Sequence, residues 1–405
     1  MNLSYFISKR ISSKAPKSFT NTIHSIAIAS IAISLAAMIL SFAILFGFQG
    51  TIKDKIYSFG SHLLVTKFIF GGIFEEHPIS TNTNLYQDPG QFEFIDHIQT
   101  FIYKPGLIKN NDEVTGAILK GVGKDFSQEK FAANIVEGEF IHHQDSGYST
   151  EVLLSKITAR KLNLRVGDEM VMYFFQIPPR VRKLQIVGLY ETWIEDFDKK
   201  IVIADIGMIQ RLNNWPDTLV GGYEIFIDDY SNVEMAEDVL YEQIDADLFV
   251  EKISDKYPEV FQWLSLIQQN LVILLGLVLF VACFNMISIL LILIMERTQM
   301  IGMLKAMGSP NKLISKIFSY SGMILISKGM LWGNLIGIGL SYLQYQFHII
   351  PLDPENYYME FVPISWNWDL ILALNVLVFI VVSIVLAIPM LIISRIEPIK
   401  AIRFD

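Results

Sequence analysis

The chain has 405 residues, 52% of them hydrophobic and only 18% charged, with a mean hydropathy of +0.40 and a net charge of −9. That is too apolar for a soluble protein and too charged for one wholly immersed in lipid, so a membrane protein with one large water-exposed domain fits. Residues 51–262 carry 20 Lys and Arg against 34 Asp and Glu, and an acidic domain between basic flanks argues against nucleic-acid binding.

The amino terminus places Lys9, Arg10, Lys14 and Lys17 among Tyr5, Phe6, Ile7 and Ile11, with no acid before Asp54. Residues 1–21 read as an interfacial helix on the cytoplasmic face. Residues 22–50 hold a first span, because the apolar run from Ile23 to Phe48 exceeds the roughly 20 residues a bilayer needs. No small-residue cleavage site follows a short core, so a retained anchor is expected.

Residues 51–262 alternate strand-like and helix-like pieces. Strands are expected at 62–70, 116–122, 184–190, 200–204 and 223–227, and helices at 92–99, 206–212 and 233–244. Residues 151–171 read as strand, helix, a turn at Gly167-Asp168, then strand. This irregular interleaving predicts an α+β domain, long enough to bury its own core. His142, His143 and Asp145 lack a spaced ligand partner, and Glu195, Asp196 and Asp198 read as surface acid, so no metal site and no catalytic residue is expected.

Residues 263–405 add three spans, at about 268–295, 317–342 and 370–393. The one cysteine, Cys283, lies in the first of these and cannot close an intrachain disulfide. Arg297, Lys305, Lys312 and Lys316 sit between the second and third spans, and Arg395, Lys400 and Arg403 follow the last. The 344–369 loop has no Lys or Arg but has Asp353, Glu355, Glu360 and Asp369. The positive-inside rule then puts both termini in the cytoplasm and 51–262 outside. Residues 296–313 form a short amphipathic helix on the membrane surface, ended by Gly308-Ser309-Pro310. Ile301, Leu304 and Leu313 are apolar there, with Arg297 and Lys305 facing water, a connection suited to receive force from a soluble partner. In the third span Gly329, Gly333 and Gly337 fall at i, i+4 and i+8, a groove for close helix contact, and Lys328 beside them is a charge within the membrane.

The stretch ERTQMIGMLKAMG, Glu296 to Gly308, resembles the coupling segment of FtsX/MacB-type ABC transporter permeases, with Met300 where a second Glu is usual. SKITARKLNLRVGDEM, LQIVGLYETWIEDFDKK, FVACFNMISIL and SRIEPIKAIRFD resemble further family signatures. In them Ser155, and Trp193 or Ile194, stand where the family commonly has Gly. The chain has no phosphate-binding Gly-Lys-Ser/Thr loop, whereas MacB proteins carry a fused ATPase. FtsX proteins have a much smaller outer domain. Within the superfamily the chain is therefore most similar to the lipoprotein-releasing LolC/LolE permeases.

That resemblance implies four transmembrane helices with a large MacB-like α+β periplasmic domain between the first two. It implies a non-catalytic permease subunit in the bacterial inner membrane that extracts lipoproteins for delivery to the outer membrane. ATP would be bound by a cytoplasmic ABC ATPase dimer acting on Glu296, Arg297, Ile301, Leu304, Lys305 and Gly308. A second permease, either a copy or a similar chain, would complete the complex. Lipid would enter a cavity at Met38, Phe42, Leu45 and Phe46 of the first span and Ile267, Leu271 and Leu275 of the second, where Met and Phe suit differing acyl chains. A periplasmic lipoprotein carrier would meet the hairpin at Pro178, Pro179, Arg180 and Arg182. The alternative is a mechanotransmission permease serving periplasmic efflux or a cell-wall hydrolase.

Overall fold

Among the described residues, four helices are long and apolar enough to cross a membrane. They belong to a computed structural model that describes residues 19–67, 77–110, 113–144, 147–245 and 247–389. Most of the expected interfacial helix, the end of the 62–70 strand, Asp145, and the basic residues Arg395, Lys400 and Arg403 lie outside the described residues.

In chain order the elements begin with α1 (Phe19–Phe59), β1 (Leu63–Lys67), β2 (Ile79–Ser80), α2 (Asn84–Gln87), β3 (Ile95–Asn110), β4 (Glu113–Val122), α3 (Gln128–Ala132) and β5 (Ile135–Gly138). There follow β6 (Glu151–Ser155), α4 (Lys156–Leu162), β7 (Glu169–Phe174), β8 (Arg180–Tyr190), α5 (Glu195–Asp198), β9 (Ile201–Asp205), α6 (Ile206–Asn213), β10 (Leu219–Val220) and β11 (Gly222–Ile227). The chain closes with α7 (Val233–Gln243), β12 (Leu248–Lys252), α8 (Ile253–Lys256), α9 (Pro258–Glu296), α10 (Thr298–Ala306), α11 (Asn311–Phe347), α12 (Pro354–Tyr357) and α13 (Trp368–Val385). The fold divides at Gly50/Thr51 and Gln262/Trp263 into a helical unit and an extramembrane unit, and the latter also takes Asp353–Glu360.

The helical unit packs α1, α9, α11 and α13. Its core holds Ile31, Leu35 and Ile39 of α1, Met286 and Leu290 of α9, Leu325 and Ile326 of α11, and Val378 and Val382 of α13. Lipid tails are as apolar as these side chains, so association rests on close packing and interhelical hydrogen bonds. Gly329, Gly333 and Gly337 line the contact with α1. A Cβ added at them would lie 2.7 Å from Ile31 Cβ, 3.0 Å from Ala32 O and 3.1 Å from Ala36 Cα. Asn285 donates to Ser30 Oγ at 3.1 Å, joining α9 to α1. Asn334 and Asn375 exchange amide hydrogen bonds of 2.7 and 2.9 Å, joining α11 to α13. The sequence reading had found neither link.

The extramembrane unit is built on a ten-stranded mixed sheet ordered β12-β1-β11-β3-β4-β9-β6-β8-β5, with β7 paired to both β3 and β8. The β4/β9 and β6/β8 pairs are parallel and the other pairs antiparallel, which with the interspersed helices gives the expected α+β arrangement. One apolar core includes Ile98, Leu119, Val202, Tyr223 and Ile225, and a second, aromatic one includes Phe59, Phe126, Phe131, Tyr190 and Phe197. The helix expected at 92–99 is a strand from Ile95 onward. The three-residue spacing of Phe92, Ile95 and Ile98 suggests a helix, but pairing with β11 decides for β. β1 pairs antiparallel with β12, Val65 opposite Val250, so the chain leaving α1 lies beside the chain entering α8.

Candidate functional site

The link between α9 and α11 is the first candidate. Arg297 leaves helical geometry (φ −104°, ψ 17°), so α9 stops at Glu296 and α10 is a separate helix of nine residues, shorter than the 296–313 expected. Gly308 (φ +83°) ends it in the left-handed region, where Ser309 N donates to Leu304 O at 3.0 Å. This closure favours a residue without a Cβ. Pro310 then caps α11. Ile301 is fully buried and Leu304 half-buried. Arg297 and Lys305, expected to face water, are half-buried, while the exposed residues of the segment include Met303 (54% exposed) and Met307 (73%). The helical repeat explains this: Met303 is two positions, about 200°, from buried Ile301, and Met307 is one turn further on. The family-like pattern includes both methionines, but it assigns neither of them a contact.

The second candidate is the face shared by α1 and α9. Met38, Leu45 and Leu275 are buried inside the helical unit, while Phe42, Phe46, Ile267 and Leu271 are half-buried. Met38, Phe42, Leu271 and Leu275 belong to one apolar cluster, so much of the expected cavity face is helix–helix contact within this chain. The rings of Phe42 and Phe46 stack with centroids 6.1 Å apart. One to two turns further along, Gln49 donates to Leu264 O (3.1 Å) and Gln268 Oε1 (3.2 Å), and Phe48 meets Trp263 edge-on at 5.7 Å. α9 also leaves Ile273, Leu277, Phe280 and Phe284 exposed. Lys328 is exposed beside the buried glycine face of α11.

The β7–β8 hairpin is the third. Arg180 does not point outward: it donates to Arg211 O (2.9 Å), Leu212 O (2.8 Å) and Asn214 Oδ1 (2.9 Å), satisfying carbonyls at the C-terminus of α6. Gln176 joins it on Leu212 O at 3.1 Å. Arg182 is half-buried and bonds Val181 O at 3.0 Å. What the tip offers to solvent is apolar: Phe175, Ile177, Pro178 and Pro179, with Tyr173 and Val181 behind them.

Two of the family-like stretches meet in one rigid turn. Asp198, expected at the surface, is fully buried. Its carboxylate accepts from Thr192 N (3.1 Å), Thr192 Oγ1 (2.8 Å) and Trp193 N (3.0 Å). Burial raises its pKa, and these bonds oppose the rise. Trp193 has φ +65°, which explains why the family favours glycine at this turn. Ser155, also in place of a family glycine, accepts from Thr158 N at 3.1 Å to cap α4 and donates to Asp198 O. His142 lies near Glu139 and Glu151, and His143 Nδ1 lies 3.3 Å from Asp205 Oδ2. Among the described residues no three His, Cys, Asp or Glu side chains converge on a metal-sized site.

Residues 25–248 match the MacB-like periplasmic core domain, and residues 272–398 match the FtsX-like permease C-terminal domain. The first match alone spans more than half of the chain. The chain belongs to the FtsX-like ABC permeases with a MacB-like periplasmic core. It is 22% identical over 406 residues to the lipoprotein-releasing system transmembrane protein LolE of Haemophilus influenzae, covering 96% of this chain and 94% of that one. It is 21% identical to the LolC protein of Buchnera aphidicola subsp. Schizaphis graminum, over 88% of each chain. The periplasmic region of MacB from Actinobacillus actinomycetemcomitans overlays with a TM-score of 0.35 at 14% identity, covering 52% of this chain and 97% of that one. In this permease the FtsX-like part holds most of α9 and all of α10, α11 and α13, and the MacB-like core holds the mixed sheet apart from β12.

Proposed function

We propose that this permease extracts lipoproteins from the outer leaflet of the bacterial inner membrane for delivery toward the outer membrane. The observation that carries the reading is the near end-to-end similarity to proteins named as lipoprotein-releasing permeases. The energetics call for a driven machine. At about 0.8 kcal/mol per buried CH₂, freeing a multiply acylated protein from lipid costs on the order of tens of kcal/mol. Both termini and α10 face the cytoplasm, where a separate ATPase dimer binds ATP and seats Met303 and Met307, with Glu296, Arg297, Ile301, Leu304, Lys305 and Gly308 shaping the segment. A second permease, a copy or a similar chain, encloses the lipid path. Acyl chains enter where Phe42, Phe46, Ile267 and Leu271 are still accessible, over a floor of Met38, Leu45 and Leu275. A periplasmic carrier takes the lipoprotein at the apolar hairpin tip around Phe175 and Ile177, with Pro178 and Pro179 stiffening it and Arg180 and Arg182 at its base.

Photoreactive residues at Phe42 and Leu271 should capture a lipoprotein in the assembled complex, and ATP turnover should lower the yield. Capture at other membrane sites but never at these two would remove the proposed cavity. The rival reading, a mechanotransmission permease for efflux or wall hydrolysis, draws on the same MacB-like and FtsX-like matches. It predicts an outer-membrane channel or a hydrolase, in place of a lipoprotein carrier, in the purified complex.

A further inference from the structure

The extramembrane unit buries one ion pair completely. Lys120 of β4 is 1% exposed and Glu224 of β11 0%, with Nζ 2.7 Å from Oε1. Removing two charges from water is expensive, and well-packed apolar side chains often serve a core as well or better. The other bonds of the pair show what it holds. Gln99 of β3 donates through Nε2 to Glu224 Oε2 at 2.7 Å, and its side-chain Oε1 accepts from Ser127 N at 3.0 Å. Lys120 donates to the carbonyl of Phe59 at 2.6 Å.

Phe59 is the last residue of α1. Its carbonyl has no acceptance left within the helix, and a cation is favoured at that pole of the helix dipole. Its ring is held as well. It stacks on Phe197 at 4.3 Å, lies 6.0 Å from Tyr190 and 6.2 Å from Phe131, and carries the Lys120 ammonium 5.0 Å from its centroid. The start of α9 reaches the same place. Tyr257, immediately before α9, meets Phe197 edge-on at 5.3 Å, and Lys256 lies over Tyr103 at 5.4 Å. Burial pushes the Lys256 ammonium down, and Glu224 is the foremost charge opposing that push. Lys120 and Glu224 thus stand where the two helix ends and three strands of the sheet converge.

We propose that Lys120 and Glu224 form a positioning clamp, holding the last turn of α1 and the segment leading into α9 in fixed register with the sheet. The clamp touches no substrate. Its part in release rests on the ATP-driven reading above, whereas its mechanical role can be read separately.

The test uses the assembled complex in nanodiscs, with spin labels at Lys53 on α1 and Val136 on β5. Replacing one partner alone would strand a buried charge. The Lys120→Met/Glu224→Leu double variant removes both charges at similar volume, and Lys120→Arg is the conservative control. If the double variant does not fold, Lys120→Gln/Glu224→Gln is read the same way. In the wild type and the arginine control the label distance stays narrow with or without nucleotide. In the charge-free variant it broadens, lipoprotein release falls at least tenfold, and ATP hydrolysis continues. A narrow distance with normal release in the charge-free variant overturns the clamp. Broadening in that variant, with no lipoprotein release even from the wild type, keeps the clamp and overturns the release function.

Discussion

At the scale of single residues, the chain spends its polar side chains on fixing joints. His62, three residues past the end of α1, accepts from Ile227 N at 2.9 Å through Nδ1, which requires the neutral ring. Burial, helped by the Lys130 ammonium, pushes its pKa down to about 4. An unfolded histidine protonates near pH 6.5 and this one only near 4, so its penalty is absent above about 6.5 and grows as pH falls through that window. His62→Asn, whose carbonyl can accept the same N–H without titrating, should make the permease lose less stability than the wild type between pH 7.5 and 5. Thermal unfolding of the purified protein at both values measures this, and equal losses would refute it. Other residues show why roles were hard to read from sequence. The acceptors of Arg180 lie 31 to 34 residues downstream, so a basic hairpin in sequence becomes an apolar tip in space. Asp198 looked like one acid among many until folding put the backbone of Thr192 and Trp193 around it.

At the scale of elements, what could be read was what is written locally. The four spans follow from apolar run length alone. The break after α10 follows from Gly308 and Pro310, whose backbone preferences need no tertiary partner. The glycine stripe of α11 announces close packing, and the structure identifies its neighbour as α1. Gly333→Leu should therefore cost about 1–3 kcal/mol by overpacking, while Gly333→Ala should cost much less. The fraction surviving graded heating in detergent reads the difference, and a leucine variant as stable as the alanine one would mean that α1 and α11 are not in contact. Which way a helix face points was not written locally. Met38, Phe42 and Leu45 share a face by periodicity, but only the position of α9 shows that the face is largely covered. The helix expected at 92–99 fails for the same reason, because the strand partner of residues 95–101 comes from β11.

At the scale of the whole molecule, the chain joins an FtsX-like membrane part to a MacB-like periplasmic core, and the function proposed above engages both in lipoprotein extraction. Under the function proposed above, the membrane part would offer α10 to a motor and the accessible edge of the α1–α9 face to acyl chains, and the periplasmic core would offer an apolar hairpin tip to a carrier. The direct measurement is release of a triacylated lipoprotein from proteoliposomes holding this permease, its partner permease and its ATPase, with soluble carrier outside. ATP should move the lipoprotein onto the carrier, and a non-hydrolysable analogue should not. ATP hydrolysis at a normal rate with the lipoprotein left in the bilayer would contradict the proposed function.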